Sequence, residues 1–297
     1  MSAIDPNQLT VLDGGMSNAL TDRGHDLSDA LWSARLLRDA PDEIAAVHRA
    51  YFAAGAQVAT TASYQASVAG FESYGASRVE AERLIRSSVT IARSVRDELA
   101  GPRRWVAASV GPYGAVLADG SEYRGRYGVT PAALRDFHRP RLELLAGAGP
   151  DLLAVETIPD LGEAEVLAGL LTEYQLPAWL SYSIAGDRTR AGQPLRDAFA
   201  VAASCPAIVA VGINCCAPGD VLAAVRLAAE VTGLPVVAYP NSGESWDAGR
   251  RDWSGSTAYD VTLATSWVAA GARLIGGCCR VGPPDIRALA LRLTAAG

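Results

Sequence analysis

The sequence lacks the features that mark several common classes of protein. Gly and polar residues interrupt every apolar stretch well short of the roughly 18 residues that a membrane-spanning helix needs. Basic residues do not predominate, since 26 Lys and Arg stand against 32 Asp and Glu for a net charge of −6, and this argues against a nucleic-acid-binding surface. The first six residues carry neither the basic nor the apolar region of a secretory signal. We therefore expect a cytoplasmic monomer or small homo-oligomer with small-molecule substrates, no membrane or nucleic-acid partner, and cysteines that are thiols or metal ligands.

Two further absences restrict the fold. No Gly-x-Gly-x-x-Gly turn follows the first predicted strand, where residues 12–16 read Leu-Asp-Gly-Gly-Met, and this disfavours a dinucleotide-binding doubly wound sheet. No Pro- or Ser-rich linker and no change of composition divides the chain. The sequence is therefore interpreted as one domain over residues 1–297.

Short runs rich in β-branched and apolar residues recur along the whole chain, separated by segments with helical periodicity. Most of the runs are apolar on both faces, as parallel strands covered by helices are. There are eight, and they begin at Thr10, Gln57, Trp105, Asp151, Ala178, Ala207, Pro235 and Ala272. Eight β/α units in a chain of 297 residues match the size of a TIM barrel. The predicted fold is thus α/β, a single (β/α)₈ barrel.

Two helices can be placed from local signals. Ser77 and Glu80 form a capping box ahead of an apolar stripe that ends before Gly101, which predicts a helix over about 78–99. A second helical pattern includes Pro140, which lacks an N–H and collides with the preceding turn. We expect that helix to break near His138.

Two pairs of adjacent cysteines follow predicted strands six and eight. Cys215 and Cys216 come after Gly-Ile-Asn, and Cys278 and Cys279 come after Gly-Gly. A barrel brings the carboxyl ends of these strands to one rim, with a single strand between them. Thiolate sulfur is a favoured ligand of tetrahedral zinc, and three protein ligands leave a fourth position for substrate, as in catalytic sites. The sequence thus predicts a zinc site on this rim.

The two cysteines of the second pair can share an ion only where the chain turns, because neighbouring residues of a regular strand point to opposite faces. Gly276 and Gly277 before the pair and Gly282 after it are expected to supply that turn.

The remaining cysteines are not assigned to the site. Cys216 would lie one residue into the loop, on the other side of the strand from Cys215. Cys205, alone before a proline, is interpreted as a small buried apolar residue.

Seven motifs spread along the chain form a specific combination. They read Leu-Asp-Gly-Gly-Met at 12–16, Thr-Thr-Ala-Ser-Tyr-Gln-Ala at 60–66, Ser-Val-Gly-Pro-Tyr-Gly-Ala at 109–115, Phe-His-Arg-Pro-Arg at 137–141, Glu-Thr-Ile-Pro at 156–159, Tyr-Pro-Asn-Ser-Gly-Glu at 239–244 and Gly-Gly-Cys-Cys at 276–279. Through them nearly the whole chain resembles the homocysteine S-methyltransferases, in particular the branch that uses S-methylmethionine. The family that the chain resembles also includes betaine-homocysteine methyltransferase.

The resemblance implies a methyltransferase in which Cys215, Cys278 and Cys279 bind Zn²⁺. The three cysteines would be catalytic as zinc ligands, because the metal activates the thiol of L-homocysteine. The methyl group would come from a sulfonium, S-methylmethionine or S-adenosylmethionine. Two positions depart from the family pattern, because Gln57 and Arg126 stand where relatives carry Asp. Both departures bear on the choice of donor.

Homocysteine also presents an α-ammonium and an α-carboxylate to be bound. Glu156, at the end of predicted strand four, is the expected ammonium partner, with a structural salt bridge as the alternative. Asp13, at the end of strand one, is either a second carboxylate of the site or an Asx-turn residue that caps its own loop. The amides of Gly14 and Gly15 are expected to meet the substrate carboxylate.

Other polar and aromatic residues are candidates for the same rim. Asn214 and Asn241 are expected either to orient thiolates and polar substrate groups or to serve ordinary turns. Aromatic side chains of the rim loops can hold a sulfonium by cation–π attraction, or can simply pack those loops; they are Tyr113, Tyr123, Trp246 and Trp253.

Two alternative functions fit the same ligand set. A related thiol or selenol methyltransferase, for example one acting on selenocysteine, would use identical zinc chemistry. A protein without catalytic activity would instead store zinc or sense redox state through its adjacent cysteines.

Overall fold

The computed structural model describes residues 5–28, 31–247, 252–257 and 259–295. Its central feature is a parallel eight-stranded sheet, and the eight predicted strands are confirmed. In chain order the strands are β1 (Thr10–Val11), β2 (Val58–Thr60), β3 (Trp105–Val110), β4 (Leu152–Ile158), β5 (Ala178–Tyr182), β6 (Ile208–Asn214), β7 (Val236–Tyr239) and β8 (Ala272–Ile275).

The sheet closes into a barrel through its first strand. Thr10 and Val11 pair in parallel with Leu274 and Ile275 of β8, and an isolated bridge joins Leu12 to Val58 of β2. Gln57 reinforces this seam, because its side-chain oxygen accepts the Val11 N–H at 3.1 Å. This residue therefore lies at the amino end of β2, at the opposite end of the barrel from the strand ends that carry the cysteines.

Helices cover the outside of the barrel between successive strands. The predicted helix over 78–99 is confirmed as Arg78–Glu98, with the Ser77 hydroxyl accepting the Glu80 N–H at 3.2 Å. The other α-helices are Met16–Asp22, Leu36–Asp39, Pro41–Ala53, Val68–Ser73, Tyr113–Leu117, Pro131–Gly147, Leu161–Leu171, Leu195–Ala203, Val221–Thr232, Leu263–Ala269 and Pro283–Thr294, and 3₁₀ turns span Trp32–Arg35, Ser121–Tyr123 and Pro218–Asp220. None of the described helices is long and apolar enough to cross a membrane.

The predicted break at Pro140 is wrong, because Pro131–Gly147 is one helix. Buried side chains attach the helix to its surroundings on both sides of the proline. His138 Nε2 lies 2.8 Å from Glu163 Oε1 of the next helix, and Arg141 is 2% exposed. Packing of the buried face outweighs the loss of one backbone hydrogen bond at the proline.

Arg141 connects this helix to the loops that follow β2 and β3. Its guanidinium donates to the carbonyls of Gly111 at 2.9 Å, Tyr64 at 2.9 Å and Ser63 at 3.2 Å. Burial lowers the pKa of Arg141 to about 10, so the charge is costly unless these carbonyls solvate it.

Arg141→Met is therefore expected to lower the free energy of unfolding by about 3 kcal/mol, since it strands three buried carbonyls. Arg139→Met is the matched control on the same helix, because Arg139 pairs with Glu173 where both side chains are well exposed, at 47% and 38%. That change should cost less than about 1 kcal/mol. Urea denaturation measures both values, and equal losses would contradict the role given to Arg141.

The interior of the barrel is filled by apolar side chains, with polar ones towards the carboxyl end. The apolar layer contains Leu12, Val58, Trp105, Ala107, Leu152, Ala154, Trp179, Ala210, Val237, Tyr239 and Leu274. Trp179 Nε1 donates to the Tyr239 hydroxyl at 3.0 Å, which marks the transition from the apolar layer to the polar rim.

Candidate metal and substrate site

Three cysteine sulfurs meet at the carboxyl rim of the barrel. The Sγ atoms of Cys215, Cys278 and Cys279 all lie within 4.8 Å of one another, and those of Cys215 and Cys279 are 3.7 Å apart. Cys215 follows β6, and the other two follow β8. The strand between them, β7, supplies the backbone that holds both loops: the Tyr239 carbonyl accepts the Cys215 N–H at 3.2 Å, and the Pro240 carbonyl accepts the Cys278 N–H at 2.8 Å.

Three residues near the site have a left-handed backbone, and two of them lie in the turns that carry the cysteines. Thr157 after Glu156, Cys215 after β6 and Arg280 after the second cysteine pair have φ values of +60°, +49° and +61°. Such a backbone is unfavourable for residues with a Cβ and is enriched at functional sites. The turn expected from the glycines is thus made at Arg280 instead.

The glycines have a different task, which is to let two loops touch. A Cβ on Gly276 would stand 2.6 Å from the Asp13 carbonyl oxygen, and one on Gly15 would stand 2.7 Å from the Cys278 carbonyl oxygen. A Cβ on Gly14 would collide with the Val281 carbonyl oxygen. These contacts pack the loop after β1 directly against the cysteine loop after β8.

The same packing uses one of the amides expected to bind substrate. The Gly15 N–H donates to the Val281 carbonyl at 2.9 Å, and the Tyr51 hydroxyl donates to the Gly15 carbonyl at 3.0 Å. The Gly15 amide therefore secures the loop, and Gly14 remains as the candidate for a substrate contact.

Groups around Cys215 favour a negative charge on its sulfur. The Tyr123 hydroxyl lies 3.3 Å from Cys215 Sγ, and Arg190 lies over the Tyr123 ring at 5.9 Å. Hydrogen bonds from Cys278 and Cys279 hold the pKa of Cys215 well below its usual range, and Tyr123 and Arg190 act in the same direction. Interaction with Cys215 in turn raises the pKa of each of the other two thiols.

Two buried carboxyl groups, Asp13 and Glu156, lie close to each other, and Glu156 is also within electrostatic range of Cys215. Asp13 accepts hydrogen bonds from the Thr60 N–H at 2.7 Å and the Thr60 hydroxyl at 2.8 Å, which link it to β2 and not to its own loop. Glu156 accepts from the Ser109 hydroxyl and, at 3.0 Å, from the Tyr239 hydroxyl.

Neither carboxyl group forms an ion pair with a described Lys, Arg or His side chain. Desolvation raises the pKa of Asp13 to about 7, and the charge of Glu156 adds to this. Desolvation likewise raises the pKa of Glu156 to about 7, with a contribution from Cys215. The alternative role of Glu156 in a structural salt bridge is therefore not supported, because no described cationic side chain pairs with it. Asp13 and Glu156 are two buried acids without a described cationic partner.

Asn214 and Asn241 position the site through the protein's own groups. Asn214 Oδ1 accepts from the Thr157 N–H at 2.7 Å and the Ser181 hydroxyl at 2.8 Å, and its Nδ2 donates to Thr157 Oγ1 at 2.7 Å. Asn241 Oδ1 accepts the Cys279 N–H at 3.2 Å. Asn214 thus stabilises the strained residue after Glu156, and Asn241 fixes a cysteine.

Tyr113 lies among other aromatic side chains. Its ring contacts Tyr127 and Phe137, with centroids 5.3 Å and 5.0 Å away, and its N–H donates to Glu163 at 2.6 Å. The side chains of Trp246 and Trp253 fall outside the described part of the structure. Of the two candidates whose side chains are described, Tyr123 is the one placed at a cysteine sulfur.

The two other cysteines point into apolar surroundings. Cys216 is fully buried in the core outside the barrel, and burial raises the pKa of its thiol. Cys205 is 3% exposed, and its Sγ contacts the Ala168 carbonyl at 3.3 Å.

Sequence reasoning did not assign several residues that the structure places near the sulfurs or the acids. Ser109 and Tyr239 bind Glu156, and both lie within motifs quoted above, so the alternation of side chains along β3 and β7 could have indicated them. Tyr64 and Glu122 come from loops, where no periodicity predicts which side chains face inward.

The fold and the site define a class of protein: a (β/α)₈ barrel whose rim carries a three-cysteine candidate metal site beside two acids that form no ion pair with a described residue. A family model described as homocysteine S-methyltransferase matches residues 10–293. The chain therefore belongs to the homocysteine S-methyltransferase family, and it is a methyltransferase.

Relatives are similar over nearly their full length. A homocysteine S-methyltransferase from Escherichia coli is 47% identical over 97% of this chain and 96% of its own, and homocysteine S-methyltransferase 4 from Zea mays is 48% identical over 94% and 88%. A selenocysteine Se-methyltransferase from Brassica oleracea is 43% identical over 95% and 88%. The crystal structure of the metallated form of the homocysteine methyltransferase MmuM from Escherichia coli superimposes with a TM-score of 0.87 at 46% identity, covering 96% of each chain.

Proposed function

We propose that this protein transfers a methyl group from a sulfonium donor to the thiol of L-homocysteine, giving methionine, with Zn²⁺ held by Cys215, Cys278 and Cys279. The observation that carries the proposal is the meeting of three cysteine sulfurs within 4.8 Å with two buried acids that lack a cation, at one rim of the barrel. Homocysteine has a thiol that a metal on the cysteines would bind and an ammonium group that the two acids would bind.

The sulfur positions fit zinc. Two sulfurs that each lie about 2.3 Å from a tetrahedral ion are about 3.8 Å apart, which agrees with the 3.7 Å between Cys215 and Cys279. Three thiolate ligands leave one position for the substrate. Bound there, zinc would favour the thiolate form of homocysteine, which is the nucleophilic form.

Asp13 and Glu156 would hold the substrate ammonium. Both are desolvated, and an ammonium that enters between them supplies the missing positive charge and polar hydrogens. The Gly14 amide is the candidate for the substrate carboxylate. Fixing both amino-acid groups while the metal held by the three cysteines would bind the substrate sulfur leaves one orientation for attack.

The charge of the site favours a cationic methyl donor. Buried carboxyl groups and the cysteine thiolates make the rim negative, and this charge attracts a cation. We expect S-methylmethionine to be the best donor and S-adenosylmethionine the second. Betaine places its carboxylate close to the reacting centre, where the anionic cluster repels it.

A second candidate acceptor is selenocysteine, and the similarity to a selenocysteine Se-methyltransferase favours it. A selenol would take the same place beside the cysteines.

We place the reaction in the cytoplasm, where thiols remain reduced.

A donor panel with zinc-loaded protein tests the proposal. S-methylmethionine should support methionine formation faster than S-adenosylmethionine, and both should exceed betaine, with homocysteine as acceptor and mass spectrometry as readout. Selenocysteine in place of homocysteine separates the two acceptors. Faster turnover with betaine would overturn the donor assignment, and bound zinc without any methyl transfer would favour a metal-storing or redox-sensing role.

A further inference from the structure

A third buried acid, Glu122, precedes Tyr123 in the chain and has no role in the proposed reaction. It is 3% exposed, and its Oε2 atom is buried without a hydrogen-bond partner among the described residues. An unsatisfied buried carboxylate oxygen is rare in folded proteins and costly. A group that approaches from outside the protein would resolve the cost.

The backbone around Glu122 is held firmly. The residue is in the 3₁₀ turn Ser121–Tyr123, where the Ser121 N–H donates to Asp119 Oδ1 at 2.9 Å and the Gly125 N–H donates to the Ser121 carbonyl at 2.9 Å. A Cβ on Gly114 would stand 2.6 Å from the Glu122 nitrogen, so a neighbouring helix packs closely on the turn. Glu122 is thus prearranged in its place.

The carboxyl group of Glu122 is close enough to Cys215 and to Tyr64 for the charges to interact. Its neighbour Tyr123 contacts Cys215 Sγ through the hydroxyl. Desolvation raises the pKa of Glu122 to about 7, and the charge of Cys215 contributes. The charge of Glu122 in turn raises the pKa of Tyr64. Tyr123 therefore contacts Cys215, and Glu122 and Tyr64 lie within electrostatic range of the same sulfur, which a second substrate must approach.

Glu122 differs from the other two acids in its hydrogen bonds. Asp13 accepts from Thr60, and Glu156 accepts from Ser109 and Tyr239, so these carboxylates are already oriented as a pair. Homocysteine has one ammonium group, which that pair can satisfy. A further acceptor without a donor indicates a further ligand that carries N–H groups.

We propose that Glu122 binds the α-ammonium group of the methyl donor, and this inference rests on the proposed function. A sulfonium and a quaternary ammonium carry no N–H, so neither can donate a hydrogen bond to Oε2. An α-amino acid with a sulfonium side chain supplies both the hydrogen bond and a cation for the tyrosine rings. Glu122 therefore selects amino-acid sulfonium donors such as S-methylmethionine.

The test compares Glu122→Gln with the wild-type protein on two donors. A charge-assisted hydrogen bond contributes enough that its loss should raise KM for S-methylmethionine by about 10- to 100-fold, while KM for homocysteine changes by less than about twofold. Dimethylsulfoniopropionate is a sulfonium carboxylate without an α-ammonium, and the two proteins should use it equally. Glu72→Gln is the control, because Glu72 is an exposed acid of the helix Val68–Ser73.

A binding measurement separates this inference from the proposed function. Calorimetric titration of S-methylmethionine into zinc-loaded protein without homocysteine should show the same loss of affinity in Glu122→Gln. An equal loss with dimethylsulfoniopropionate, a larger effect on homocysteine than on the donor, or early melting with unchanged donor affinity would each overturn the role of Glu122. Absence of methyl transfer by the wild-type protein would instead refute the proposed function, while the titration would still report on Glu122.

Discussion

Replacement of Cys215 by alanine is expected to abolish methyl transfer and to release most of the bound zinc. Changes beside a metal ligand typically reduce metal affinity 10- to 100-fold, so loss of one of three ligands should cost about a thousandfold or more. Cys278→Ala and Cys279→Ala should behave alike. Metal content by mass spectrometry and methionine formation give the two readouts.

Cys205→Ala is the matched control, because Cys205 is buried as deeply but contacts the Ala168 carbonyl instead of another sulfur. It should keep full zinc and full activity. Full zinc occupancy in Cys215→Ala would overturn the ligand assignment, and Cys216, the next residue in the chain, would become the candidate to examine.

The second large effect is expected at Glu156. Glu156→Gln keeps the size of the side chain and one acceptor oxygen, but it loses the charge that faces the substrate ammonium. That bond is worth about 1.5 to 3 kcal/mol, so kcat/KM for homocysteine should fall roughly 10- to 100-fold. Zinc content should not change.

The stability of this variant distinguishes a binding role from a scaffold role. Burial raises the pKa of Glu156 to about 7 from an ordinary value of 4.5, so ionisation between those values destabilises the folded wild-type protein without substrate as the pH rises. The glutamine variant is free of that loss, and it should gain stability relative to wild type between pH 5 and pH 8. Early melting together with normal homocysteine affinity would place Glu156 in the scaffold.

How much of this could be predicted from the sequence depends on the kind of signal. The eight strands were predictable because parallel strands are apolar on both faces, and the cysteine rim followed from the common end at which barrel strands stop. The prediction of a helix break at Pro140 was wrong. The local effect of proline is outweighed by the packing of His138 and Arg141, and no local sequence pattern reveals that packing. The left-handed backbone of Thr157 and Cys215 also has no signal in residue type.

The carboxyl groups also differ in how far the sequence predicts them. Glu156 could be proposed from its position at the end of a strand, whereas the absence of a cation around it is a property of the assembled barrel. Glu122 could not be singled out, since a glutamate in a loop rich in Gly, Tyr and Arg is ordinarily exposed. Only the three-dimensional structure shows that its Oε2 atom is buried without a partner among the described residues.

The closure of the barrel by β1 and β8 has a consequence for biosynthesis. One candidate ligand, Cys215, leaves the ribosome well before Cys278 and Cys279, and the loop after β1 that supports them is made first of all. Until β8 has emerged and paired with Thr10 and Val11, a nascent chain offers the metal a single sulfur of the set. During synthesis, binding of the metal by all three sulfurs should therefore follow the pairing of β8 with β1.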